Sequence, residues 1–361
     1  VRIRKSNGKI RVSKIVITVG IVILLIFLFR PTYTPNIKGI NSINILADIS
    51  IGGEKQSLQI RGTNIENPVI LFLHGGPGFP QISFARKYQR KLEEEFVVVN
   101  WDQRGSGKSY TFFMDKKGMT KEQLLKDAEE VIDYLCKTYN KEKIIVVGHS
   151  WGSELGMNLV KNNSTKISAY IGVGQVIDQK EGQRISYEYA LELANQYKDK
   201  SGIKTLEEIG PPPYKDVIEA TLAKEKIIKK YSPQGVEPNV TKDAVMGCMF
   251  SPEYNGIDSI RFMLGNKMSA ETLWGTNKEF NLMTDVKKVN IPVYFCVGRY
   301  DYTTPSTLVE KYYEKLEAPY KELVWFENSA HFPHFSESDK FYELLLKVKE
   351  QLFELESHVK S

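Results

Sequence analysis

The chain has 361 residues, of which 42% are hydrophobic and 26% charged, an ordinary globular composition long enough for one large core carrying an inserted lid. Its formal net charge is +5, but seven of the 49 basic residues and no acid fall within residues 1–30, leaving 42 bases against 44 acids in the remainder. That near-neutral remainder excludes a basic face for nucleic acid, and three widely spaced cysteines (Cys136, Cys248, Cys296) exclude a disulfide framework and a metal-ligand spacing.

Residues 15–29 carry no charge and follow six basic residues, the pattern of a helix whose basic flank stays cytoplasmic. As a helix the run rises roughly 22 Å, short of a ~30 Å hydrocarbon core, so Lys14 and Arg30 are expected to snorkel. Arg30-Pro31-Thr32-Tyr33 follows, and Ala47 is the first alanine, which disfavours a cleaved signal peptide. The expectation is an uncleaved single-pass transmembrane anchor, with the catalytic part outside the cytoplasm.

Residues 31–42 form a polar linker. Strand-like runs then appear at 43–51, 56–61, 69–73 and 96–100, the last two short and apolar but for Asn100, as buried parallel strands are. Thr120 caps an amphipathic stretch ending near Tyr139. A strand at 143–147, a helix from Ser153 and a strand at 169–173 follow. Residues 179–288 change texture to Lys/Glu-rich amphipathic patterns broken at Pro211-Pro212-Pro213 and Pro233, which predicts a helical insertion. Strands at 291–297 and 322–326 and helices at about 305–317 and 337–355 complete the chain, with Ser336 and Asp339 spaced as a capping box. Alternating strands and helices predict an α/β fold with a mostly parallel sheet covered on both faces. Its core comprises residues 43–178 and 289–361 and its helical cap residues 179–288.

Gly148-His149-Ser150-Trp151-Gly152 lies between the strand at 143–147 and the following helix. Strand, Gly-x-Ser-x-Gly, helix is the context of a nucleophile elbow. A serine needs a base. Of five histidines, His74 is far upstream in a glycine turn, His149 is turned away by its adjacency to Ser150, and His358 is in the tail. His331 and His334 remain, in the loop after the last strand, and His331 is nearer the strand end. Asp301, in Gly298-Arg299-Tyr300-Asp301 after a strand, stands between serine and histidine in chain order and fits the acid that orients the imidazole. The Trp151 N–H and a donor from His74-Gly75-Gly76-Pro77-Gly78, Gly76 rather than Gly75, are the expected oxyanion hole. Gly105-Ser106-Gly107-Lys108-Ser109 hints at a phosphate loop, but Asp102 stands where the first glycine is required. A pairing of Asp102 with Arg104 that supports the oxyanion loop is the alternative.

Together these segments, with Asp102-Gln103-Arg104-Gly105-x-Gly107-x-Ser109 and Ala330-His331, resemble the α/β-hydrolase superfamily and, within it, the proline iminopeptidase (prolyl aminopeptidase) family, over about residues 43–355. The resemblance implies Ser150 as nucleophile, Asp301 as acid, His331 as base, a cap between the sixth and seventh strands, and no metal or cofactor. It also implies a small-molecule or short-peptide substrate whose free amino group meets cap carboxylates, for which Glu181, Glu253 and Glu271 are candidates. An esterase or lipase with the same triad, and a non-catalytic ligand sensor on the same fold, are the competing functions.

Overall fold

The valine- and isoleucine-rich runs form the middle of a single eight-stranded sheet. A computed structural model describes residues 3–360 apart from 163 and 276–278; the side chains of residues 3–13, 164, 356 and 358–360, His358 among them, lie outside the described set. The Gly52-Gly53 turn joins β1 (Ile43–Ile51) to β2 (Glu54–Gly62) as an antiparallel hairpin, both glycines having positive φ. β3 (Val69–Leu73), β4 (Val97–Asp102), β5 (Ile144–His149), β6 (Ile167–Val173), β7 (Val293–Gly298) and β8 (Lys321–Phe326) run parallel, in the order β1-β2-β4-β3-β5-β6-β7-β8. β3 to β7 are buried along their whole length except at Ser168, which is why they read as mainly apolar runs.

Helix α1 (Ile3–Phe29) precedes the sheet. One face of the sheet is covered by α2 (Lys121–Thr138), α3 (Trp151–Asn162) and α9 (Ser306–Lys315), and the other by α10 (Ser338–Lys360). Between β6 and β7 the chain forms α4 (Gln179–Gln196), α5 (Lys200–Ile209), α6 (Val217–Tyr231), α7 (Val240–Phe250) and α8 (Gly256–Leu273). α4 to α6 share their own apolar cluster around Leu193, Leu206 and Ile227.

Four expectations change. Among the described residues no helix is long and apolar enough to cross a membrane; residues 14–29 of α1 rise about 24 Å, against a hydrocarbon core of roughly 30 Å. Nor is Arg30 free to snorkel: its guanidinium donates to the carbonyls of Ser251 and Tyr254 at 2.7 Å each. This fastens the end of α1 to the cap, where Phe27 and Leu28 lie against Gly256. The capping box fails because Pro333 starts a separate one-turn helix, Pro333–Ser336, so α10 begins at Ser338 and Asp339 pairs with Lys91 at 2.6 Å.

Asp102 and Arg104 do not pair. Arg104 instead makes a two-pronged bridge to Asp127 of α2, at 2.6 and 2.9 Å, while Asp102 accepts from the Lys108 N–H at 2.9 Å and from the Tyr254 hydroxyl. Asp127 is fully buried and also accepts from Gln56 and Gln123. Arg104→Met would leave its carboxylate charged, buried and without a cation. The expected loss is about 3–5 kcal/mol in urea unfolding; a loss under about 0.5 kcal/mol would contradict this role.

Candidate active site

The turn after β5 leaves no room for side chains at its ends. A Cβ on Gly148 would sit 2.8 Å from the Gly152 carbonyl oxygen, and one on Gly152 would strike the Leu73 carbonyl oxygen at the end of β3. Between them Ser150 has φ +52°, a left-handed conformation that costs a non-glycine residue of order 1–2 kcal/mol. The surroundings hold it there. Its N–H donates to Val173 O at 3.0 Å, and its carbonyl accepts from the Ser153 N–H at 2.8 Å and Ser153 hydroxyl at 2.5 Å. Ser153 Oγ in turn accepts the Val176 N–H at 3.0 Å, tying the elbow to the loop after β6.

Asp301 and His331 stand beyond the ends of β7 and β8 and meet: His331 Nδ1 donates to Asp301 Oδ2 at 3.0 Å. The other Asp301 oxygen accepts the N–H groups of Thr303 and Thr304, at 3.0 and 2.9 Å, and the Thr304 hydroxyl donates to Oδ2 at 2.8 Å. Burial pushes this carboxyl up, but the His331 charge and the bonds from His331 and Thr304 outweigh burial and hold it below the usual range. Burial pulls His331 down, yet Asp301 first, then Glu237 and Glu225 of the cap, raise it above 6.5.

The other described histidines are buried and neutral for separate reasons. His74 Nδ1–H donates to Gly75 O at 2.9 Å and its Nε2 accepts the Gln103 N–H at 3.2 Å, which fixes the neutral tautomer and ties the glycine loop to the loop after β4. Burial lowers it to about 4. His149 donates through Nε2 to the His331 carbonyl at 3.0 Å, and burial lowers it to about 3. His334 packs against His149, Phe335 and Phe341, with neither ring nitrogen hydrogen-bonded and a pKa pushed well below 6.5 by burial. It is an aromatic packing residue in this arrangement.

A pocket opens over the elbow and is lined by Ser150, Gly76 and Trp151 from the core and by Gln183, Thr221 and Trp274 from the cap. Trp151 is the first residue of α3, so its N–H has no partner within the helix and lies at the positive end of the helix dipole. A Cβ on Gly75 would come within 3.0 Å of Ser150 Cβ, so only glycine lets this loop approach the serine so closely. The geometry offers a hydroxyl, two backbone segments with N–H groups and a polarised imidazole at one carboxyl edge of the sheet, a set suited to acyl transfer.

The cap carboxylates expected from sequence lie elsewhere. Glu181 is paired with Arg184 at 2.6 Å on the surface of α4, and Glu271 is exposed opposite Lys267. Glu253 is buried and accepts from Arg86, Thr34 and Gln59. Two others approach the imidazole instead. Glu237 accepts the His331 backbone N–H at 3.1 Å, and half-buried Glu225 of α6 acts on the His331 charge without a hydrogen bond or ion pair to any described residue. Sequence reasoning missed both; the available signal was the i, i+4 spacing of Thr221 and Glu225, which puts them on one face of α6.

The family model for serine aminopeptidase, S33, matches residues 67–339. The chain is 34% identical over 306 residues to "Probable aminopeptidase YbaC" of Bacillus subtilis, covering 83% of this chain and 94% of that protein. It is 25% identical over 326 residues to the proline iminopeptidase of Saccharolobus solfataricus, covering 85% and 95%. Among solved structures, the proline iminopeptidase of Mycobacterium smegmatis superposes with a TM-score of 0.61 at 16% identity, over 85% of this chain and 98% of that one. A proline iminopeptidase-related protein of Thermus thermophilus gives 0.60 at 17%, over 86% and 98%. At those identities the structures show a shared α/β-hydrolase fold.

The histidines should separate in a titration of their ring resonances by NMR. His331 is expected to titrate above pH 6.5, and His74 and His149 to stay neutral down to about 4 and about 3. Because these two bind protons more readily unfolded, stability is expected to fall as pH drops below 6.5. A His331 midpoint below 6.5 would contradict the pairing with Asp301.

Proposed function

This chain belongs to the serine aminopeptidase S33 family, and we propose that it hydrolyses the bond after a free N-terminal residue through an acyl-enzyme on Ser150. The supporting observation is the His331–Asp301 pair, with Glu237 on the His331 N–H and Glu225 acting on its charge, at the same edge of the sheet as the pocket that Ser150 lines. His331 Nε2 takes the Ser150 proton as Oγ attacks the carbonyl carbon. The N–H groups of Gly76 and Trp151 hold the resulting oxyanion. The C–N bond breaks, and the leaving amine takes the proton from His331. Water then attacks the acyl ester, passing its proton to His331 and from there back to Ser150. Asp301 fixes the tautomer and stabilises the imidazolium throughout. Glu225, which makes no ion pair among the described residues although the charges of His331, Lys224 and Lys229 act on it, receives the substrate ammonium beside Glu237.

That ammonium requirement separates an aminopeptidase from an esterase with the same triad. Alanyl and prolyl p-nitroanilides are expected to be cleaved, their N-acetyl forms not, and Glu225→Gln to raise KM about tenfold or more. Ser150→Ala should lower kcat/KM by about 10⁴-fold or more. The acid limb of kcat/KM should lie above pH 6.5, because the base must be neutral. Cleavage of acyl esters alone, with no free-amine substrate turned over, would sink the aminopeptidase reading.

We also infer that α1 holds the enzyme at a membrane surface. Ile15, Val19, Ile23, Ile26 and Phe29 are each more than half exposed, an unpartnered apolar surface on one helix. Met249 and Phe250 of α7 and Met263 of α8 extend it on the cap helices beside which α1 ends. The full chain is expected to float with phosphatidylcholine vesicles and a chain lacking residues 1–29 to stay in solution; a full chain that fails to float contradicts the anchor.

A further inference from the structure

Behind the pocket lies a cation with no carboxylate in contact. Lys224 of α6 is 1% exposed; its ammonium donates to Gln183 Oε1 of α4 and lies 4.8 Å from the centre of the Tyr214 ring. No carboxylate of the described residues bridges it, so none of its three N–H donors has an anionic acceptor, and Glu225, the next residue, acts on it only through space. Burial lowers its pKa to about 8, which leaves the ammonium charged at neutral pH. A charge buried this way costs several kcal/mol unless it is neutralised.

The groups around it are also short of partners. The Tyr214 hydroxyl and Thr221 Oγ1 are buried with no hydrogen-bond partner. Lysine only donates, so the Gln183 oxygen faces Lys224 and the amide N–H₂ is left for the pocket that Gln183 lines. Thr221 lines that pocket too, one helical turn before Glu225. The Thr221 hydroxyl and the Gln183 amide therefore face the pocket, with the acidic Glu225 one turn along α6 from Thr221. One turn rises roughly 5.4–6 Å, and a dipeptide spans at most about 7 Å from end to end.

We propose that Gln183 and Thr221, backed by the Lys224 ammonium, form a carboxylate subsite on the leaving-group side of Ser150, which makes free dipeptides the preferred substrates. The proposal rests on the aminopeptidase reading, in which Glu225 and Glu237 take the other terminus. A carboxylate accepts from both pocket donors and neutralises the lysine behind them. An amide of the same shape presents one neutral oxygen and brings donors of its own toward donors. Lys224 acts through Gln183 and is a positioning residue.

The test compares alanyl-alanine with alanyl-alaninamide, and prolyl-alanine with prolyl-alaninamide, in the full chain. Wild type is expected to prefer the acids by about tenfold or more in kcat/KM. Gln183→Leu and Lys224→Met should each bring the acid-to-amide ratio close to one. The ratio is internal to each preparation, so partial loss of folded protein does not change it. Equal cleavage of acid and amide by wild type overturns the subsite while leaving the aminopeptidase reading intact. A ratio unchanged in both variants overturns the assignment of these residues. Failure to cleave any free-amine substrate, the p-nitroanilides included, overturns both readings.

Discussion

Everything at the site hangs on the crossing of β5 and α3. The strand must turn into the helix within a few residues while β3 passes alongside, and the carbonyl of Leu73 leaves no space for a side chain at Gly152. That steric limit forces Ser150 into a left-handed backbone, with its hydroxyl projecting above the sheet edge. The strain is of order 1–2 kcal/mol, and four hydrogen bonds through Ser150 and Ser153 offset it. The other components gather at the same edge because parallel strands all end there: the glycine loop after β3, Asp301 after β7, His331 after β8.

Electrostatics then sorts chemically similar residues into different roles. Four described histidines are buried, but only His331 has a carboxylate on its ring, and only its pKa rises. The two cap acids add to that effect from the opposite side. Lys224 and Glu225 are sequence neighbours with contrasting surroundings: the ammonium lies behind Gln183, while the carboxylate acts on the imidazole. Thr221 and Glu225, one turn apart on that helix, can thus face the two ends of a short zwitterion. In the proposed function this is how the cap, rather than the sheet, selects the substrate.

Much of the sheet and the core of the candidate site was legible in the sequence. Fully buried parallel strands are short apolar runs, and a polar residue just past such a run sits at the sheet edge, which is what singled out Ser150, Asp301 and His331. The cap was not legible in this way. Its helices have no common edge, so Glu181, Glu253 and Glu271 were indistinguishable from Glu225 until packing placed them. Two signals were present but easily passed over. Lys224 and Ile228 share the buried side of α6, and Asp127 sits among Leu124, Ala128 and Val131 on the buried side of α2. A charge in an apolar stripe announces a buried partner without naming it. Arg30 misled for the converse reason: beside an apolar run it reads as a snorkelling residue, and only the folded chain shows the Ser251 and Tyr254 carbonyls that hold it.

The central claim is that Ser150 is the nucleophile and His331, held by Asp301, its base. The most direct measurement is mass spectrometry of the protein after treatment with a fluorophosphonate, which reacts covalently with an activated serine. One adduct per chain on the peptide containing Ser150, absent from Ser150→Ala and slowed at least about 100-fold in His331→Ala, is the predicted result. An unlabelled wild type, or an adduct on another residue that persists in Ser150→Ala, would contradict the account.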